Sequence, residues 1–376
     1  MSTKTNRDPA IENTSSDSSD KSCYSELVQN VRETLAALPP DGFIRKALPE
    51  NKMQEIADRV EMAPLPDLEF GYWPPLFCFV SRRDIADLTE FESDLRLVCA
   101  KSSSPDSVVS FLEATPQEDT RWTSGLFELC IKACLIKQAQ SAVEVDSALP
   151  NGSRPDIRLS LNGRNVWFEC TVLGDSQEDR AAWDRYMQVR KIDKSVQMVR
   201  PGNFDTADSK GPSLYYDCLR MYLKVFNKLA PNFNPDKSQV SPDEPNVLLI
   251  SIASSKSPLS QSPGIGWALD ELLADQPKGE ARVKDVAPSL DISLSGWLDF
   301  QARDLSQQSK LEFKAYCQRF HEIIALPRRL GAIIVFDGYK IEHARVNYNA
   351  LSKCSLSHKN AARFEEILGG IPRYAR

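Results

Sequence analysis

The chain has 376 residues, 41% of them hydrophobic and 26% charged, an ordinary globular composition with length for two or three domains. Its net charge of −6 excludes binding to nucleic acid by bulk charge, so any such contact needs a local basic patch. No run of about 18 apolar residues occurs and the first residues lack an apolar signal-peptide core, so neither a membrane span nor secretion is expected.

In chain order, residues 1–22 are rich in Ser, Thr, Asp and Asn and are expected to be a disordered tail. Apolar residues at helical spacing (Leu27, Val31, Leu35, Leu38) predict a helix from about Tyr24 to the Pro39-Pro40 stop. Helices are also expected over about 53–62, 83–100 and 105–114, while Phe70–Val80, broken by Pro74-Pro75, reads as a short strand or a packed loop. Residues 23–120 thus form a helical region without recognisable chemistry. Leu126–Ile136 is apolar nearly all round, the pattern of a buried helix. Ser141–Leu149, Pro155–Leu161 and Val166–Leu173 are strand-like runs separated by turn residues. A helix is expected at 178–199 and an amphipathic one over Ser213–Leu229, followed by a short buried strand at Val247–Ala253. Residues 264–330 read as a mostly helical insertion, and Ala332–Phe336 and Tyr339–Val346 as a second hairpin about Asp337-Gly338. The result is an α/β domain over 121–376 behind the helical region.

The second and third strands carry the chemistry. Asn162-Gly163 is a strong two-residue hairpin signal, because both turn positions favour φ > 0. Counting outward, Leu161 faces Arg164, Leu159 faces Val166, Ile157 faces Phe168, and Asp156 faces Glu169. Ile157, Leu159, Val166, Phe168, Cys170 and Val172 then share an apolar face, and Asp156, Glu169 and Thr171 the other. Carboxylates opposite one another, with Cβ atoms about 5 Å apart, repel unless a cation sits between them. A divalent hard cation of the kind used in phosphodiester hydrolysis meets that need. A longer loop, Asn162–Asn165, is the alternative; it keeps the faces and pairs Glu169 with Arg158.

The order helix, strand, strand with Asp, strand with Glu, helix, strand resembles the PD-(D/E)xK nuclease superfamily, also called restriction-endonuclease-like. The resemblance covers roughly residues 122–254. It rests on Pro155-Asp156, on Glu169-Cys170-Thr171, and on Glu128 in the preceding helix. It implies a restriction-endonuclease-like α-β-β-β-α-β core with a mixed sheet. It also implies a Mg²⁺ (or Mn²⁺) held by Asp156 and Glu169, with the backbone carbonyl of Cys170 completing the shell and Glu128 as an additional acid. The family usually has Lys where this chain has Thr171, which donates a hydrogen bond but carries no charge. Branches of the superfamily carry that lysine on the following helix, where Arg220, Lys224 and Lys228 stand at i, i+4 and i+8. Lys224 or Lys228 would fill the role; an ordinary solvated helix face is the alternative.

Glu128 also has a plain reading, an i, i+4 pair with Lys132. Arg154 faces Thr171 by the same register, where it either touches substrate phosphate or caps the strand. Arg190, Lys191 and Lys194, with Arg185 and Arg200, form either a phosphate-positioning surface or a charged exposed helix. His321-Glu322 lacks the second His of a zinc protease, Gly264-Ile-Gly266 lacks the third Gly of a dinucleotide loop, and no Walker A loop or Gly-x-Ser-x-Gly elbow occurs. His343 reads as structural. The nine cysteines form no Cys-x-x-Cys pair, and most read as small buried hydrophobes in a reducing, cytoplasmic setting.

The expected function is hydrolysis of phosphodiester bonds, in DNA before RNA. The alternative is an inactive nuclease fold that binds nucleic acid or a protein partner. A second copy of the chain is a further candidate partner. A third option, a helical interaction protein with incidental strands, is favoured if the Asp156 hairpin stands alone with no helix behind it.

Overall fold

The computed structural model describes residues 17–63, 73–115, 118–139, 142–161, 163–174, 185–186, 188–189, 221, 224–231, 234–252, 263–273, 326–338, 340–370, 372 and 374. These form a mixed α/β fold around one six-stranded sheet: β1 (Val143–Val145), β2 (Ile157–Leu161), β3 (Arg164–Val172), β4 (Asn246–Ser251), β5 (Leu330–Asp337) and β6 (Lys340–Val346). The strands lie side by side in chain order. β1, β2 and β3 form an antiparallel meander, β3–β4 and β4–β5 are parallel, and β5–β6 is antiparallel.

The hairpin register follows the sequence pattern. Leu161 pairs with Arg164, Leu159 with Val166 and Ile157 with Phe168, with Gly163 at φ +77° supplying the left-handed turn backbone. The longer-loop alternative is excluded, because Arg158 opposes Trp167 and its guanidinium pairs with Glu144 on β1. The β5–β6 turn likewise has Gly338 at φ +58°. β4 lies between two parallel neighbours and is buried along its whole length, as a continuous apolar run at the middle of a sheet must be.

Helices cover both faces. The apolar face of the hairpin packs on the helix Asp119–Ala139 and on the helix His358–Leu368. Phe127 meets Phe336 edge-on at 5.3 Å and Phe168 meets Phe364 at 5.1 Å. Each such buried ring contributes about 1.5–3 kcal/mol by leaving water. Gly125 permits a close approach on this helix: a Cβ there would fall 2.2 Å from Phe111 Cγ. The other face, with Leu248, Ile250, Ile333 and Val335, is equally buried. It meets the helical turns at 224–229, whose Lys228 reaches β3, and the helix Pro263–Leu273, whose Gly266 lies against His343 of β6. The hairpin therefore does not stand alone, and the condition that would favour the reading of incidental strands is not met.

The helical region joins the same core. Helices Asp17–Ala37, Phe43–Ala47, Glu50–Met62, Pro75–Val80, Ile85–Cys99 and Pro105–Val109 contribute Val31, Ile44, Met53, Phe77, Phe91 and their neighbours to a cluster continuous with the sheet. Tyr374 closes it: the ring sits 5.0 Å from that of Phe91, its hydroxyl donates to Asp94 at 3.0 Å, and Arg83 Nε donates to its carbonyl at 2.8 Å. Lys137 lies 2.7 Å from the other Asp94 oxygen.

Three expectations change. Pro75–Val80 is helical rather than strand or loop, with Pro75 in the first turn, where its missing N–H costs nothing. The first helix begins at Asp17, inside the stretch read as a disordered tail. The first strand shrinks from Ser141–Leu149 to Val143–Val145, because Asp146 turns the chain with φ +56°. Most of the expected 178–199 helix and most of the 264–330 insertion lie outside the described residues; within them, Arg185, Tyr186, Gln188 and Val189 are helical. No helix among the described residues is long and apolar enough to cross a membrane.

Candidate active site

The site is assembled where β2 begins, β3 ends, and two helices pass. Asp156 stands one residue before the first paired residue of β2. Its Oδ2 accepts the backbone N–H of Cys170 at 2.6 Å, which ties it to the residue after Glu169. Glu169 lies on β3, and its side chain is only 4% exposed. Lys228 places its Nζ 2.5 Å from Glu169 Oε1, while Glu169 Oε2 is buried without a hydrogen-bond partner. Lys228 thus places an ammonium beside the Glu169 carboxylate. Thr171 is buried two residues beyond Glu169 on the same side of β3.

Glu128 reaches the cluster from the Asp119–Ala139 helix. The plain reading of it holds, since its carboxylate pairs with Lys132 at 3.3 Å, and it also feels the charges of Asp156 and Lys228. The Lys132 ammonium, 6% exposed, also binds Asp146 Oδ1 at 3.2 Å. Four carboxylates (Glu128, Asp146, Asp156, Glu169) and two lysines (Lys132, Lys228) therefore share one electrostatic neighbourhood.

The titration pattern reflects excess negative charge out of water. Burial, then the Asp156 charge, pushes Glu169 up to about 8, against the pull of Lys228. Burial and then Asp156 push Glu128 up to about 7. Burial raises Asp156 too, opposed by Lys132, Lys228 and the Cys170 N–H. Burial works against both ammonium groups, yet neighbouring carboxylates, Glu128 first for Lys132 and Glu169 first for Lys228, hold each above the ordinary lysine range. A cluster whose acids are pushed toward neutrality and whose bases are held charged attracts further positive charge.

A divalent metal fits part of this donor set. The unpartnered Glu169 oxygen and the Asp156 carboxylate are hard oxygen donors, and Mg²⁺ commonly takes one or two carboxylates with the rest of its shell from water and phosphate. Among the described residues no group of three or more His, Cys, Asp or Glu is placed to hold a metal by itself. The Cys170 thiol is buried on the core face, and that residue serves the site through its backbone N–H to Asp156.

Lys224, one turn before Lys228, is half-buried. Arg154 is exposed and lies outside the β2–β3 ladder, so it is not paired across from Thr171. Arg190, Lys191, Lys194 and Arg220 lie outside the described residues. His343 is on β6 beside helix Pro263–Leu273, and burial, then Arg345, lowers its pKa.

Sequence reading missed Asp146 and the second role of Lys132. The available signal was a lysine inside an all-apolar helical run, which demands a buried counter-charge. Nothing in the sequence says that Asp146 supplies it. In comparisons with protein-family models, curated proteins and solved structures, nothing matches this chain.

Proposed function

We propose that this protein is a metal-dependent nuclease with a restriction-endonuclease-like core, cutting phosphodiester bonds in DNA. The carrying observation is the buried Lys228–Glu169 pair beside Asp156, with one Glu169 oxygen left unpartnered. The element order supports the reading: a helix, an antiparallel three-strand meander, helical turns, and a strand parallel to β3.

Asp156 and Glu169 would hold Mg²⁺ or Mn²⁺, with the Cys170 carbonyl as a further donor. The ion would acidify a bound water and neutralise charge on the leaving oxygen. The chain's own residues then do the rest. The Cys170 N–H fixes the rotamer of Asp156. Lys228 opposes the burial that pushes Glu169 up to about 8, so that a bound cation would complete its ionisation, and it presents a fixed positive charge where a phosphate oxygen gains negative charge. Glu128, pushed up to about 7, exchanges a proton near the working pH, as suits a general acid–base group. Burial of the cluster strengthens each of these interactions.

The rival reading, an inactive nuclease fold that binds nucleic acid or a protein partner, draws on Thr171 and on the lack of a ready three-residue metal group among the described residues. Plasmid and single-stranded DNA incubated with the protein in Mg²⁺, Mn²⁺ or EDTA separates the two. Metal-dependent cleavage that disappears in Asp156→Ala and in Glu169→Ala, with circular dichroism unchanged, supports the nuclease. Cleavage retained in both variants refutes the proposed site, and DNA binding without cleavage favours the rival.

A further inference from the structure

We infer that Asp146 is a positioning residue that keeps the buried Lys132 off Asp156, so that the carboxylates remain available to a divalent cation; this rests on the nuclease reading above. Asp146 ends β1 with φ +56°, a left-handed backbone uncommon for any residue but Gly and tolerated best by Asn and Asp. Three contacts hold it there. Its N–H donates to the Asp156 carbonyl at 3.1 Å, its Oδ2 accepts from Ser102 Oγ at 2.5 Å, and its Oδ1 accepts from Lys132 Nζ at 3.2 Å. Ser102 belongs to the helical region, where it also bridges Val145 in parallel. Strain of this kind persists where surrounding contacts over-determine it, and it concentrates at functional sites.

The consequence lies in how one ammonium is shared. Lys132 is buried among Glu128, Asp156 and Asp146 and feels all three charges. Its hydrogen bonds go to Glu128 and Asp146. Asp156 instead takes the Cys170 N–H on Oδ2. Asp146 thus gives Lys132 a second anion other than Asp156. The same residue fixes the Asp156 backbone through its N–H, so it sets both the position and the availability of that carboxylate. Without the Asp146 charge, the carboxylates still felt by Lys132 among the described residues are Glu128 and Asp156, and its ammonium competes with a metal ion for the latter.

Calorimetric titration of the full chain with MgCl₂ and MnCl₂ tests this, using wild type, Asp146→Asn and Asp146→Gly. Asn keeps the left-handed turn and an oxygen for Ser102 but loses the charge. Gly fits the backbone best and removes the side chain, so it guards against a folding defect. Both variants are expected to bind metal about 10- to 100-fold more weakly than wild type, the usual cost of losing a residue that orients a metal ligand. Thermal midpoints in EDTA are read in parallel. If Asp146 only shapes a turn, the midpoint moves and the metal affinity does not, and the inference is overturned. Wild-type protein that neither binds metal nor cleaves DNA overturns the nuclease reading and this inference together. Wild-type binding with unchanged affinity in both variants overturns this inference alone.

Discussion

Lys228 and Glu169 lie on different elements, 59 residues apart in the chain, and meet at 2.5 Å within a buried cluster of charged side chains. The pair works because each partner corrects what burial would do to the other. Without Lys228, Glu169 would be driven further toward its neutral form; without Glu169, burial would push the ammonium toward losing its proton. Lys228→Met is therefore expected to lower Mg²⁺-dependent cleavage about 100-fold or more, the scale of losing one fixed charge-stabilising donor. Lys228→Arg should recover only part of it, since a planar fork does not replace a compact ammonium. Cleavage time courses of plasmid DNA measure both, and wild-type rates in Lys228→Met would show that a different base serves the site.

Stability should fall with rising pH when metal is withheld. Glu169 is raised from 4.5 to about 8 and Glu128 from 4.5 to about 7, so the folded state binds more protons than the unfolded state across that window. Stability is then highest below the unfolded value and declines as pH climbs through the folded values. Melting in EDTA is expected to drop by about 2 °C or more between pH 5 and pH 8. Added Mg²⁺ should flatten the slope, because the ion binds the ionised carboxylates. A melting temperature in EDTA that rises over this interval would contradict the assigned shifts.

Gly125→Ala tests the contact that seats the helix carrying Glu128. A methyl group there would meet the buried Phe111 ring at 2.2 Å and its Cβ at 2.3 Å, so the two segments must shift apart. Overpacking of this kind costs about 1–3 kcal/mol, despite the better helix propensity of Ala. Urea denaturation reads the loss, and an Ala variant as stable as wild type would show that the two segments can separate freely.

Tyr374 offers a graded test of the helical region. Tyr374→Phe removes the hydroxyl from Asp94 while Lys137 stays on the carboxylate, so the expected cost is about 1–2 kcal/mol. Tyr374→Ala also opens a cavity beside Phe79 and Phe91 and should cost about 3–5 kcal/mol. Equal losses in the two variants would place the whole effect in the hydrogen bond.

The sequence made the strands legible and the site half legible. The β2–β3 register followed from Asn162-Gly163 and a strict alternation, because a slip by one residue would expose Phe168 and bury Arg158. β4 was readable as an uninterrupted apolar run. The Pro75–Val80 helix was missed because Pro74-Pro75 suggests a break, whereas proline in a first turn starts a helix. The early start at Asp17 was hidden by a polar composition that signals disorder. Lys228 was readable only as one of two lysines, with Lys224, on a helix face, since the packing angle on β3 decides what reaches Glu169. Asp146 was unreadable, because its role rests on a backbone angle and on partners 14 and 44 positions away.

The burial of Tyr374 against Phe91 also bears on how the chain matures. Residues from Val28 onward emerge from the ribosome early, yet the ring that packs against Phe79 and Phe91 is synthesised 280 positions after Asp94. Helices formed during translation gain this aromatic contact only after the strands have also been made, and protease resistance of the leading segment is expected to appear late, together with that of the sheet.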